Sequence, residues 1–287
     1  MDLFVTALNS GSNGNCYYIG NEEEAVLVDV GISCREVERR MARLNLRMDK
    51  LKAIFVSHEH SDHCRGIPVL SKKYKLPIFI NMGTLQKTYI SPESPLLNIL
   101  KPNEPVTIGS LTITAFPKFH DANDPLSFVI KYNDICVGVF TDIGMACPHV
   151  IKHFKCCHAV FLEANYDSNM LVTGKYPYHL KVRINSDKGH LSNQQALDLF
   201  LGHRPIFMSH LFLSHISKEN NDLKLVHELF NSYANGVEVV LTSRNQEIGV
   251  YKISKDHALK SSEKLLMGKG INKYHNNLGQ QLGLPFL

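Results

Sequence analysis

The chain has no apolar run long enough to cross a bilayer, and its start, "MDLFVTALNSGSNG", has no basic segment ahead of an apolar stretch. Both absences argue against a membrane or secreted protein, so the expectation is a cytoplasmic chain without a membrane partner. No Cys-x-x-Cys pair occurs and the seven cysteines are odd in number. They read as free thiols, mostly in the core, with Cys156 and Cys157 too close for an ordinary bridge. There is no internal repeat, and no linker-like stretch interrupts residues 1–253. What is present is ordinary for a globular protein: 287 residues, 44% hydrophobic and 20% charged, enough for one large domain or two modest ones. The net charge of +4 tolerates a polyanionic partner without demonstrating one.

Short β-rich runs dominate the first half, at Leu3–Leu8, Tyr17–Ile19, Ala25–Asp29, Ala53–Ser57, Ile78–Ile80, Leu111–Phe116, Ser127–Tyr132 and Ile135–Thr141. Ser33 with Glu36 predicts a capped helix continued by Val37, Met41 and Leu44, and Ile67, Val69 and Leu70 predict another over 66–75. In the second half, strands at Ala159–Leu162, Pro205–Ser209, Val237–Thr242 and Gly249–Ile253 alternate with helices starting at Ser192 and covering 218–233. This is a mixed α/β chain whose two halves each carry a sheet. From Lys255 the periodicity fades, and five lysines stand against Asp256 and Glu263. Residues 254–287 therefore read as a basic, flexible tail behind a domain of residues 1–253.

The stretch "VSHEHSDH" places His58, His60 and His63 with Glu59 and Asp62 directly after the apolar run Ala53–Val56. Imidazoles and carboxylates are the usual ligands of zinc, manganese and iron, and a loop leaving a strand can turn alternate residues onto one point. His58 and His60 would face one ion, with Asp62 and His63 reaching a second. Burying so many such groups uncompensated would be costly, which argues for metal over a histidine-rich surface loop.

The pattern His-x-His-x-Asp-His after a hydrophobic strand resembles the signature of the metallo-β-lactamase-fold superfamily. The resemblance implies an αββα sandwich, two mixed β-sheets flanked by helices, and continues in order along the chain. Asp29 in "AVLVD" matches the residue that braces the histidine loop, and His120 in "FPKFHDANDP" matches the third histidine of the first metal. Asp142 in "GVFTDIG" matches the bridging carboxylate and His215 in "FLSHIS" the last histidine of the second site. Within the superfamily the chain looks closest to the YycJ/WalJ (VicX) subgroup, by "NSGSNGNCYYI", "HDANDP", "LEANYDSNML" and "YPYHLKVRINSDKGHLSN". That subgroup is associated with 5′ to 3′ exonuclease action on DNA. His190 in "GHLSN" and Glu163 in "LEAN" resemble the dyad of RNase Z-type phosphodiesterases, in which the histidine protonates the leaving oxygen and the glutamate orients it.

The resemblance thus implies two divalent ions, zinc or manganese with iron as a further option, and a catalytic set of Asp62, Glu163 and His190. Ser12, Asn13 and Asn15 in "SGSNGN" are candidate phosphate contacts, with a tight turn as the plainer reading. In "KYPYHLKVRINSDKGH", Tyr178, Lys181 and Arg183 are candidate substrate contacts, because tyrosines interleaved with cations can stack on bases along a backbone. Gln281, Leu282, Leu284 and Phe286 resemble the peptide by which bacterial replication and repair proteins bind the sliding clamp. The expectation is a dinuclear phosphodiesterase acting on nucleic acid in DNA repair. Its rivals are a thioester or ester hydrolase resembling glyoxalase II, and a metal-binding regulatory protein without turnover.

Overall fold

The computed structural model describes residues 2–255, and the clamp-type peptide at Gln281, Leu282, Leu284 and Phe286 lies outside them. In chain order the elements begin with β1 (Leu3–Asn9), β2 (Cys16–Gly20), β3 (Ala25–Val28), α1 (Cys34–Arg43), β4 (Leu51–Phe55), α2 (Ser61–Cys64) and α3 (Ile67–Tyr74). They continue with β5 (Ile78–Ile80), α4 (Met82–Leu85), β6 (Leu97–Ile99), β7 (Pro105–Ile108), β8 (Leu111–Pro117), β9 (Leu126–Tyr132) and β10 (Ile135–Phe140). The second half adds α5 (Pro148–Phe154), β11 (Ala159–Glu163), α6 (Ser168–Thr173), α7 (Tyr178–Ile184) and α8 (Asn193–His203). It closes with β12 (His210–Ser214), α9 (Leu223–Asn231), β13 (Glu238–Leu241) and β14 (Tyr251–Ile253).

Among the described residues the strands form two seven-stranded sheets, ordered β14-β1-β2-β3-β4-β5-β6 and β13-β12-β11-β10-β9-β8-β7. Each is mixed. In the first, β3, β4, β5 and β6 run parallel beside antiparallel β14, β1 and β2. In the second, β10 to β13 are parallel while β7, β8 and β9 form an antiparallel meander. Between the sheets lies a core that includes Val5, Tyr17, Val28, Phe55, Phe128, Phe161 and Phe212. Helices cover both outer faces, α1 and α3 through Val37, Met41 and Leu70, and α5, α8 and α9 through Val150, Phe200 and Phe230. This double covering explains why β2, β3, β10, β11 and β12 are buried at every position and read as continuous apolar runs instead of alternating ones. The architecture is the αββα sandwich expected from the sequence.

Several local expectations are corrected. The strand placed at Pro205–Ser209 begins instead at His210, because Pro205 opens a turn closed by the Met208 N–H, and Ile206 is left exposed. The helix expected from Lys218 starts at Leu223, where the Asp222 side chain caps it. Ser33 caps α1 as expected, but Glu36 spends its carboxylate on Arg39 and Arg40. The segment read as a basic tyrosine loop contains a helix, α7, which follows Pro177 and packs Leu180 and Ile184 beside Tyr166 and Leu171.

Candidate metal centre and active site

The site sits at the carboxyl ends of the parallel strands of both sheets, where chain reversals leave backbone and side chains facing one crevice. Asp29 follows β3, Ser57 and His58 follow β4, Asp142 follows β10, Glu163 ends β11 and His215 follows β12. Three of these residues adopt a left-handed backbone, with φ of 60° at Asp29, 54° at Asp142 and 53° at His215. Such conformations cost about 1–3 kcal/mol each and persist where the surroundings over-determine them. Gly31 lets the loop after β3 press against the histidine loop, since a Cβ there would stand 1.6 Å from the Asp62 carbonyl oxygen.

Of the four overlapping donor groups among the described residues, Asp142 completes two, with His58 and His63 in one and with Glu163, His190 and His215 in the other, and the remaining two share no residue. His58, His60 and His120 form one, Asp62, His63 and His215 the other, and in each the ligand atoms lie within 4.8 Å of one another. Asp142 stands between them, with Oδ1 at 3.8 Å from His120 Nε2 and Oδ2 at 3.2 Å from His63 Nε2. Asp142 Oδ2 and the Nε2 atoms of His120 and His215 are buried and make no hydrogen bond. Orphaned donors and acceptors of this kind carry a full desolvation penalty unless something binds them. The residues fit divalent metal.

The opposite ring nitrogens are tied down. His63 Nδ1 lies 2.7 Å from Asp29 Oδ2, and His120 Nδ1 lies 3.0 Å from the Gly189 carbonyl oxygen. The Ser57 hydroxyl donates to Asp29 Oδ2 at 2.7 Å and meets His58 Nδ1 at 2.8 Å, while the Ser57 amide donates to Asp29 Oδ1. The contacts at Nδ1 orient these rings so that Nε2 faces the centre. Burial drives the His58 imidazole well below its ordinary pKa, and drives His120 down to about 4, so both stay neutral. At His63 burial pulls the same way but is outweighed by Asp142, Asp29 and Asp62, which raise it to about 10. His215 is raised well above its ordinary value against its burial by Asp142, with Asp62 and Glu163 adding to the effect.

Glu163 is fully buried at the back of the crevice. Its Oε1 lies 2.8 Å from Nδ1 of both His190 and His215, and its Oε2 accepts from the amides of Ile143 and Leu191. Burial alone would raise its pKa, but His190 and the bonds from both histidines hold it near 2. His190 hangs from the end of α7, its amide donating to the Ile184 carbonyl at 3.0 Å. It borders a cleft of about 180 Å³ together with His215, Ser12, Asp121 and Arg183.

The model for the beta-lactamase superfamily domain matches residues 24–216. Exodeoxyribonuclease YycJ of Bacillus anthracis is 33% identical over 228 residues, which cover 77% of this chain and 85% of that protein. The chain belongs to the YycJ/WalJ family of the metallo-β-lactamase fold. Exodeoxyribonuclease WalJ of Streptococcus pneumoniae is 34% identical over 77% of this chain and 84% of its own length. Among solved structures, the metallo-β-lactamase fold protein YhfI of Bacillus subtilis superposes with a TM-score of 0.66 at 17% identity, covering 88% of this chain and all (100%) of that one. Zn²⁺-bound PqqB of Methylobacterium extorquens gives 0.63 at 11% identity, over 85% of this chain and 99% of that one. These last two likenesses are of fold alone. As a member of this family the chain is a metal-dependent hydrolase that uses divalent metal.

The substrate candidates of this family member separate in space. Ser12 and Arg183 border the cleft beside His190, and Arg183 is paired with Asp121. Asn13 is exposed and donates to the Arg244 carbonyl. Asn15 is corrected from a phosphate contact to a brace: it is wholly buried and its amide nitrogen lies 3.0 Å from His63 Nε2 and 3.4 Å from Asp62 Oδ2. Tyr178 and Lys181 lie on the face of α7 turned to a different groove. Sequence reasoning missed Ser57, Asn165 and Lys118. Asn165 holds the His215 carbonyl at 2.7 Å, and buried Lys118 donates to the Thr141 carbonyl just ahead of Asp142. Only Ser57 carried a signal, its place between the strand and His58. Among the described residues no helix is long and apolar enough to cross a membrane.

Proposed function

We propose that the chain is a two-metal phosphodiesterase acting on nucleic acid, with DNA as substrate and 5′ to 3′ exonucleolytic release in DNA repair as its activity. The observation that carries this reading is the 2.8 Å contact between Glu163 and His190 at the edge of the cleft. A sugar alkoxide is a poor leaving group and needs a proton, whereas the thiolate of a thioester, with a pKa of about 8.5, leaves readily without one. A positioned histidine and carboxylate pair is therefore suited to a phosphodiester. The exodeoxyribonuclease relatives support the same substrate class.

Two divalent ions, zinc, manganese or iron, would be held by His58, His60 and His120 and by Asp62, His63 and His215, together with Asp142, and would supply Lewis acidity and activation of water. The chain's own residues do the rest. Asp29 and Ser57 keep the imidazoles aimed, and Glu163 takes the Nδ1–H of His190, so that Nε2 delivers its proton to the departing oxygen. Arg183 and Ser12 meet phosphate at the mouth. The sliding clamp is a proposed partner through Gln281, Leu282, Leu284 and Phe286. Deleting residues from Gln280 onward would abolish clamp capture and spare turnover.

The reading is tested by offering metal-loaded protein bis-p-nitrophenyl phosphate and, separately, a glutathione thioester. Hydrolysis of the diester alone supports a phosphodiesterase. Hydrolysis of the thioester alone transfers the assignment to a glyoxalase II-like enzyme.

A further inference from the structure

Helix α7 has two faces with different surroundings. Leu180, Arg183 and Ile184 border the catalytic cleft, whereas Tyr178, Lys181 and Val182 face Leu171 and Val172 across a separate groove of about 510 Å³. Isolated exposed apolar residues need no explanation, but here Tyr178, Val172 and Val182, exposed by 82%, 72% and 50%, gather around one groove. Its volume falls in the range of small-ligand sites, about 300–1,000 Å³, and suits a nucleotide better than a protein helix.

Among the described residues, Lys181 is the one charged residue lining the groove, on a segment that is basic in sequence. Residues 175–188 hold Lys175, Lys181, Arg183 and Lys188 against Asp187. The walls are pre-shaped as well: Lys181 Nζ donates to the Val172 carbonyl at 2.6 Å, and Tyr166 donates to Asn185 Oδ1 at 2.7 Å. An exposed ring, aliphatic walls and a cation at the rim are what an unstacked base and its phosphate require. The same helix reaches both places: Ile184, whose carbonyl holds the amide of His190, lines the cleft, and the next residue, Asn185, lines the groove.

We infer that the groove between α6 and α7 binds an unpaired nucleobase of the strand being cleaved, with Tyr178 as its stacking platform and Lys181 beside the phosphate. This rests on the nucleic-acid reading of the site. It gives the enzyme a reason to act on frayed or single-stranded ends, since a paired base could not enter.

The test uses full-length, metal-loaded protein and a single-stranded oligonucleotide with cleavage-resistant phosphorothioate linkages and 2-aminopurine near its end. Wild-type protein should bind it and quench the fluorophore by stacking. Tyr178→Ala should weaken binding by about 5- to 100-fold and remove the quench, while Tyr178→Trp keeps both. Val172→Glu, which adds a carboxylate to the groove, should reproduce the loss while hydrolysing bis-p-nitrophenyl phosphate like wild type. Wild-type affinity and quench in Tyr178→Ala, or no quench in the wild type, would overturn the inference. Tyr178-dependent binding without any diester hydrolysis would keep the groove and sink the phosphodiesterase reading instead.

Discussion

Glu163 Oε1 lies 2.8 Å from Nδ1 of His215, the same separation at which it meets His190. One carboxylate oxygen thus joins a candidate metal ligand to the candidate acid. Glu163→Gln cannot accept both N–H groups as an anion would, so two functions should fall together. Affinity at the Asp62, His63 and His215 group and turnover on DNA should each drop by roughly 10–100-fold. Metal stoichiometry and initial rates on one preparation check this, and loss of turnover at full metal affinity would separate the roles.

His190→Ala removes the acid but none of the proposed ligands. Turnover on DNA should fall by roughly 10²–10⁴-fold with metal content unchanged. The loss on bis-p-nitrophenyl phosphate should be much smaller, because p-nitrophenolate departs without a proton. Equal losses on both substrates would mean that His190 holds structure and delivers no proton.

The two donor groups differ in protonation. In metal-free protein His58 and His120 are held neutral, the latter with a pKa of about 4, whereas His63 at about 10 and the raised His215 hold protons. The sign follows from linkage: His63 stabilises the metal-free fold fully below an unfolded value of about 6.5, and that contribution is lost as pH rises through its folded value. Metal at this group competes with those protons and should bind more tightly as pH rises, whereas binding by His58 and His120 should be nearly flat above pH 6 or so. Calorimetric titrations in two buffers of different ionisation enthalpy should register more proton release with the ion at His63 and His215 than with the other. Equal release would contradict this assignment.

Asp29 accepts from the Ser57 amide, the Ser57 hydroxyl and His63 Nδ1. Asp29→Ala would strand these buried groups at about 1–3 kcal/mol each where water cannot reach them. Urea unfolding of metal-free protein should show the loss, with a smaller effect in Asp29→Asn.

The sandwich was legible because its central strands are covered on both sides and so appear as apolar runs, and β3, β4, β10, β11 and β12 each lead into a polar residue of the site. The run Ala53–Val56 leading into His58 is the clearest case. The same logic failed at Ile206-Phe207-Met208, where a short apolar run lies in a turn and the true strand follows it. Edge strands β6 and β7 are short and half exposed, so no buried face marks them. The positive φ at Asp29, Asp142 and His215 left no trace either, since these positions carry functional side chains where glycine would otherwise signal the turn. The brace formed by Asn15 was hidden for a related reason. "SGSNGN" reads as a turn, and only the fold shows that Asn15 faces inward onto the histidine loop.

In the proposed reaction the paired donor groups and His190 act together on DNA. The most direct measurement is digestion of 5′- and 3′-end-labelled DNA duplexes by metal-depleted protein resupplied with manganese or zinc, beside Asp142→Ala. Metal-dependent release from the 5′ end, abolished by Asp142→Ala, is the expected result. Intact DNA with fully loaded protein would contradict it.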